Sequence, residues 1–285
     1  MYTKTYDING KNIIITGGNT GLGYECAKTL INMGANVYII CRNKEKGEEA
    51  VRKLGDKATL ITLDIADLNK VNEFTSTFVK RDDVKQIDVL INNAGVMNIK
   101  SRTLTEAGIE MQLAVNHVGH YALTMGLLPK LKKSNSPRVI TVASIAAYMA
   151  KLDFGNLNGE KWYKPYSFYK TSKLCNILFS QELCRRVPWL TSIAVHPGVV
   201  HTNIQRNMKN PTRTFFKAFQ FTFGQSMKKG IIPIIKATVQ ENVKSGTYYG
   251  PVLMTKGKVW YSKKPWLSTS RKASTMLWEW TKRNI

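Results

Sequence analysis

Residues 12–34 constrain the fold of this chain more than any other stretch. Asn12–Thr16 (NIIIT) is a short, β-branched apolar run that breaks into Thr16-Gly17-Gly18-Asn19-Thr20-Gly21-Leu22-Gly23. A helical pattern follows from Leu22 to Met33, with Gly34 placed to stop it. A strand that turns through glycines straight into a helix makes an anion site, because free N–H groups at the helix start face whatever the turn cradles. Gly17 suits the tight turn, Gly21 the close approach of a pyrophosphate, and Gly23 close packing of helix on strand. No Gly-Lys-Ser/Thr follows, so the loop is not of the Walker A kind.

The same alternation continues. Val37–Cys41, Thr59–Leu63, Ile87–Ile91, Arg138–Val142 and Thr191–Val195 read as strands. Helical patterns fall between them at 44–54, 69–79, 107–131 (interrupted by glycines) and 169–186. These strands are apolar throughout rather than alternating, as in a parallel sheet covered on both faces. The expectation is one doubly wound α/β domain over 1–285, with its core at 10–203 and an irregular region at 204–285. With 285 residues, 43% of them hydrophobic and 21% charged, the chain can bury a sizeable core. Cys26, Cys41, Cys175 and Cys184 have no CxxC or zinc spacing and read as reduced thiols.

The net charge is +23, and residues 201–285 carry 16 basic against 2 acidic residues. Such an end could meet nucleic acid, anionic lipid or an anionic cofactor. The lysines are scattered and no nucleic-acid motif accompanies them, so nucleic acid is not expected as a partner. No apolar run is long enough to cross a membrane, and Met1–Lys11 lacks a signal-peptide core, which makes a cytoplasmic location the expectation.

At the end of the second strand, where an acidic residue would hold a ribose 2′-hydroxyl, stands Cys41-Arg42-Asn43-Lys44. A cation there suits a 2′-phosphate. A second constellation is Tyr169-x3-Lys173, with phenol and ammonium on one helix face. The ammonium should lower the phenol toward the range of a general base. Ser144 and Asn92-Asn93-Ala94-Gly95 follow strands at the carboxyl edge of the sheet, where open α/β sheets bind ligands. Asn116 lies inside the long helix, an expensive place for an amide without a partner.

Taken together, Thr16-Gly17-x3-Gly21-x-Gly23, Asp64, Asn92–Gly95, Asn116, Ser144, Tyr169-x3-Lys173 and Pro197-Gly198 resemble the short-chain dehydrogenase/reductase family over roughly residues 10–250. Cys41-Arg42-Asn43, Val115-Asn116-His117-Val118-Gly119-His120, Leu157–Lys161 and Ser172–Phe179 resemble its retinol dehydrogenase-like branch. The 25-residue interval from Ser144 to Tyr169 is long for the family, and the extra segment 151–164 matches an insert of that branch.

The resemblance implies a Rossmann-type domain and a hydride-transferring oxidoreductase acting on an apolar hydroxyl/carbonyl pair such as a retinoid, steroid or lipid aldehyde. It implies Tyr169 as acid/base, Lys173 lowering its pKa and holding the nicotinamide ribose, and Ser144 on the substrate oxygen. Asn116 would hold a relay water. For the cofactor it implies Gly17, Asn19, Thr20, Gly21, Leu22, Gly23, Arg42, Asp64, Ile65, Asn93, Ala94 and Gly95. Tyr169, Lys173 and the loop Pro197, Gly198, Val199 and Thr202 complete that set. NADP(H) is preferred, with NAD(H) as the other cofactor the fold takes. Reduction of a quinone or xenobiotic carbonyl, or a cofactor-sensing protein without turnover, are the competing readings; the complete tetrad speaks against the sensor.

No metal is expected, since His117, His120, His196 and His201 fit no chelate spacing and read as structural. Trp260, Trp266, Trp278 and Trp280 are expected to pack the tail. Phe215, Phe216, Phe219 and Phe223 share a helical face, which suits a lid over an apolar pocket. Residues 213–229 would alternatively form an interfacial helix on anionic membrane, and a homo-oligomer stays open.

Overall fold

The computed structural model describes residues 6–200 and 224–285. In chain order the strands are β1 (Asn12–Thr16), β2 (Asn36–Cys41), β3 (Ala58–Thr62), β4 (Val89–Asn92), β5 (Arg138–Val142), β6 (Thr191–Val195), β7 (Tyr248–Pro251) and β8 (Val259–Tyr261). They form one sheet of order β3-β2-β1-β4-β5-β6-β7-β8. Every neighbouring pair is parallel except β7 with β8. The strand order reverses between β1 and β4, and the crevice at that switch point is where such sheets take a ligand.

Helices cover both faces. The helices α1 (Gly21–Asn32), α2 (Lys44–Leu54), α3 (Leu68–Phe78) and α4 (Met111–Leu113) come first. After them come α5 (Gly119–Leu131), α6 (Pro165–Arg186), α7 (Met227–Gly230), α8 (Ile232–Val239) and α9 (Arg271–Arg283). Alternate residues of one strand point to opposite faces, so Ile14 joins the layer holding Val71, Leu127, Leu178 and Leu277. Its neighbours Ile13 and Ile15 join Leu30, Ala50 and Ile234 on the other side. Each such fully buried isoleucine contributes on the order of 1.5–3 kcal/mol.

Three expectations change. The long helix is broken between α4 and α5 by a π-helical turn, Ala114–Val118, rather than by glycine flexibility. Gly119 follows that turn because a Cβ there would lie 1.9 Å from the Ile65 carbonyl oxygen. The helix that carries Tyr169 and Lys173 starts at Pro165, four residues before Tyr169, as proline suits a first helical turn. The C-terminal third is ordered where it is described: α8, β7, β8 and α9 extend the sheet and its cover.

The tail packs through fewer tryptophans than expected. Trp278 is buried, stacks on Phe179 with centroids 6.0 Å apart, and lies under the Arg186 guanidinium. Trp260 and Trp266 are exposed instead. The phenylalanine-rich face, Thr202 and His201 lie outside the described residues, as does most of segment 213–229.

Candidate active site

The glycine loop after β1 opens a cleft of about 490 Å³ at the switch point. Gly17 has φ +66°, and a Cβ on Gly23 would lie 2.2 Å from the Gly17 carbonyl oxygen, so turn and helix fit only with glycine at both places. The cleft is lined by Gly17 and Asn19–Gly23, by Arg42 past β2, by Asp64 and Ile65 past β3, and by Asn93–Gly95 past β4. All of these are residues that the sequence nominated. Arg42 is exposed there, and so is Lys46, one helical turn on. Asn43 caps α2 by accepting from the Lys46 N–H at 2.8 Å, which fixes the start of that helix at the mouth. Lys46 was missed by sequence reasoning; its place in the first turn of the helix that follows Arg42 was the available signal.

Beyond the cleft, α6 and β5 bring three polar groups together. Tyr169 is buried, and Ser144 hydrogen-bonds its phenol. Burial pushes that phenol up to about 12, with the Ser144 hydrogen bond acting against the rise. Lys173 is also buried, and the loss of water lowers its ammonium to about 8. Its Nζ donates to the Val142 carbonyl at 2.9 Å, which Asn176 also engages at 3.0 Å. One of the three ammonium N–H groups is thus held by the end of β5, and the Ser144 hydrogen bond favours the phenolate against the effect of burial.

Asn116 stands in the π-helical turn, fully buried. Its Oδ1 accepts from Val96 N–H at 2.8 Å, and its Nδ2 donates to Val96 O at 3.0 Å and Ser172 Oγ at 2.8 Å. The side chain thus ties Val96 to α6 through Ser172. A Cβ added to Gly95 would fall 3.2 Å from Asn116 Oδ1 and 3.4 Å from Lys173 Nζ, so Gly95 lies directly between cleft and ammonium.

Thr16 and His120 were not nominated. Thr16 Oγ1 accepts from the N–H groups of Asn93 and Ala94 and lies 2.8 Å from His120 Nε2. The other ring nitrogen lies 3.0 Å from the Asn116 carbonyl oxygen. The loop after β6 is clamped: Val199 N–H donates to Thr255 O at 3.0 Å, and Gln225 donates to Pro197 O at 2.7 Å. Pro197, Gly198 and Val199 sit at the carboxyl edge but do not line the cleft itself. Met97 and Ala146 form a small apolar cluster with Tyr169, and Tyr166 packs against it. Among the described residues, no three His, Cys, Asp or Glu side chains gather as a metal site.

A crevice with a glycine-rich phosphate loop, with buried Tyr169 and Lys173 and the half-buried Ser144 beyond it, defines a dinucleotide-dependent class of protein. The chain belongs to the short-chain dehydrogenase family, whose model matches residues 11–213.

Within that family it is similar to human retinol dehydrogenase 11, 42% identical over 212 residues that cover 72% of this chain and 66% of that protein. It is 37% identical to the mouse retinol dehydrogenase 11 over 250 residues, covering 85% of this chain and 78% of that one. Among solved structures, an uncharacterized protein from Mycobacterium paratuberculosis superposes with a TM-score of 0.82 at 30% identity, covering 98% of this chain and 95% of its own. Salutaridine reductase from Papaver somniferum shares the fold, with a TM-score of 0.64 at 22% identity over 84% of this chain and 99% of that one.

Proposed function

We infer that this chain is an oxidoreductase that moves a hydride between NADP(H) and the hydroxyl/carbonyl carbon of an apolar substrate. The observation that carries the reading is the Ser144–Tyr169 hydrogen bond, with Lys173 one turn further along α6 and its Nζ 3.4 Å from where a Cβ on Gly95, a lining residue of the cleft, would stand.

The residues present fit a dinucleotide. Gly17–Gly23 would hold the pyrophosphate at the start of α1, and Asp64 and Ile65 the adenine. Arg42 and Lys46, with no acid at the end of β2, would hold a 2′-phosphate. Lys173 would reach the nicotinamide ribose past Gly95, and Pro197–Val199 would face the carboxamide. When bound, the nicotinamide supplies or takes the hydride.

The chain handles the proton. With its phenol held up at about 12, Tyr169 stays protonated at neutral pH. It gives its proton to a carbonyl oxygen as that oxygen gains charge, and in the reverse direction its phenolate takes the proton of an alcohol. Ser144 steadies the same oxygen and the phenolate. Asn116 acts by position: its side chain locks Val96, and its carbonyl groups keep acceptor capacity for a relay water. Met97, Ala146 and Tyr166 around the phenol favour an apolar substrate, in keeping with the similarity to proteins named retinol dehydrogenases.

The test is a panel of carbonyls and alcohols, including retinoids, steroids and long-chain aldehydes, assayed with NADPH and NADH by nicotinamide absorbance. Turnover of apolar members with NADPH is expected. No turnover of any member with either cofactor, by protein that binds the cofactor, would overturn the reading in favour of a sensor.

A further inference from the structure

Large apolar side chains that remain exposed concentrate in one place. Val252, Leu253, Met254, Trp260, Tyr261 and Trp266 fall within the stretch 252–266, with Leu253 67% and Trp266 88% exposed. Exposed apolar residues scattered singly are ordinary, whereas a cluster marks an interaction site. The same stretch holds Lys256, Lys258, Lys263 and Lys264, and no Asp or Glu occurs anywhere from 242 to 278.

The stretch is the β7–β8 hairpin and the segment leaving it. Its base is fixed: Tyr261 stacks on buried Tyr249 at 4.8 Å, and Lys236 lies between the Tyr249 and Trp260 rings while donating to Val259 O. The tip stays exposed. Because β7 runs parallel to β6, the tip lies at the carboxyl edge of the sheet, the edge that carries the site. The stretch touches neighbours of that site, since Thr255 O holds the Val199 N–H and Lys263 O accepts from Tyr148, within the turn that Ser144 caps.

We propose that this hairpin is a docking surface for an anionic lipid membrane. Leu253 and Met254 enter the boundary between headgroups and acyl chains, Trp260 and Trp266 lie at the interface, and the lysines meet anionic headgroups. The absence of acids argues against a second copy of the chain, because a two-fold contact would set this cationic patch against itself. The apolar tip argues against nucleic acid, whose phosphates offer it nothing. Docking brings the Pro197–Val199 edge to the surface in which an apolar substrate dissolves; that consequence, unlike the docking, rests on the function proposed above.

The experiment uses the full chain and vesicles of phosphatidylcholine with or without phosphatidylserine. Sedimentation with the anionic vesicles alone is expected, falling as salt rises. Each lysine near such a surface is worth about fivefold in partitioning, so Lys256→Glu with Lys258→Glu should lower it at least roughly twentyfold. Leu253→Asp with Met254→Asp should abolish it, and Trp266→Phe should remove much of the blue shift in tryptophan emission on binding. The melting temperature and turnover of a water-soluble carbonyl should be unchanged in all three variants.

Sedimentation that is absent in the wild type, or unaltered in the hairpin variants, overturns the proposal. So does loss of binding confined to Lys228→Glu with Lys229→Glu, which would place the contact on the neighbouring segment. A wild-type dimer in light scattering that the Leu253/Met254 variant splits, without vesicle binding, would make the patch a contact between copies. Retention of duplex DNA or RNA on filters, without vesicle binding, would assign it to nucleic acid. Vesicle binding is read without turnover and should survive Tyr169→Phe, so failure of docking and failure of the proposed chemistry are separable.

Discussion

Thr16 and His120, 104 residues apart in the chain, meet through Oγ1 and Nε2 at 2.8 Å. The contact joins the strand before the glycine loop to the helix that carries Asn116. Burial lowers the His120 imidazole to about 4, so at neutral pH the ring carries one proton. With that proton on Nδ1, facing the Asn116 carbonyl, Nε2 accepts from the Thr16 hydroxyl. The hydroxyl oxygen is then free to accept from both Asn93 and Ala94.

Replacing His120 with leucine should therefore disturb more than stability. Leaving a buried hydroxyl and carbonyl without their partner costs about 1–3 kcal/mol. Because Thr16 holds the Asn93–Ala94 backbone, NADPH affinity should fall as well. Urea unfolding and a fluorescence titration with NADPH check the two effects. A variant that loses stability yet binds NADPH as tightly as the wild type would show that the contact ends at the core.

Tyr169→Phe should keep cofactor binding and lower turnover by about 10²–10⁴-fold, since the ring stays and the transferable proton goes. Rates and NADPH affinity measured side by side check this. Near-wild-type turnover would remove Tyr169 from the proposed role.

The parts that were legible in the sequence are local ones. Strand and helix follow from apolar runs and their punctuation, so β1, the glycine loop and α1 come out within a residue or two. The cleft comes out too, because parallel strands deliver their following loops to one edge. What was not legible depends on contacts between distant segments. The π-helical turn at 114–118 answers to the tight approach of Gly119 to Ile65, and no local pattern encodes it. The i,i+4 spacing put Lys173 and Tyr169 on one helix face but could not show that Nζ also donates to Val142 O, which ties the side chain to the end of β5. The exposure of Trp260 and Trp266 likewise depends on which strand ends the sheet.

The lowered ammonium of Lys173 predicts a pH dependence. With its folded value near 8, the side chain is charged below that pH and neutral above it. If it holds the cofactor ribose as a cation, kcat/KM for NADPH should be level below about pH 8 and decline above it. Tyr169, at about 12, adds no break in that range. Lys173→Met should have lower kcat/KM throughout and no such decline. A wild-type profile still level at pH 9 would contradict the assignment of that limb.

Acid stability should be limited by buried neutral histidines. Burial lowers His117 to about 3 and both His120 and His196 to about 4, whereas an unfolded imidazole titrates near 6.5. The unfolded chain thus takes up these protons first. The stability they permit is complete above about pH 6.5 and is lost as pH falls toward 4, by about 1.4 kcal/mol per pH unit for each ring. Urea unfolding between pH 7 and 5 should show that slope, and His117→Leu should reduce it by about one proton. A slope unchanged in that variant would mean that His117 is not among the groups responsible.

Cofactor choice rests on the two cations at the mouth of the cleft. Arg42 follows β2 at the position where a carboxylate would serve a ribose 2′-hydroxyl, and Lys46, in the first turn of α2, lines the same cleft. A charged hydrogen bond contributes roughly 1.5–3 kcal/mol, or about 10–150-fold in affinity. Arg42→Asp removes one such partner and supplies a carboxylate, so NADPH affinity should fall within that range while NADH affinity holds or improves. Lys46→Ala removes a point charge without adding an acceptor; it should weaken NADPH by less and leave NADH unchanged. Combined, the two should reverse the preference, with a total that departs from the sum of the single effects, because a guanidinium and an ammonium on one phosphate belong to one ionic network. Dissociation constants for both cofactors with all four proteins decide the matter. A wild type that already favours NADH would refute the 2′-phosphate assignment, and a Lys46→Ala protein with unchanged NADPH affinity would confine the contact to Arg42.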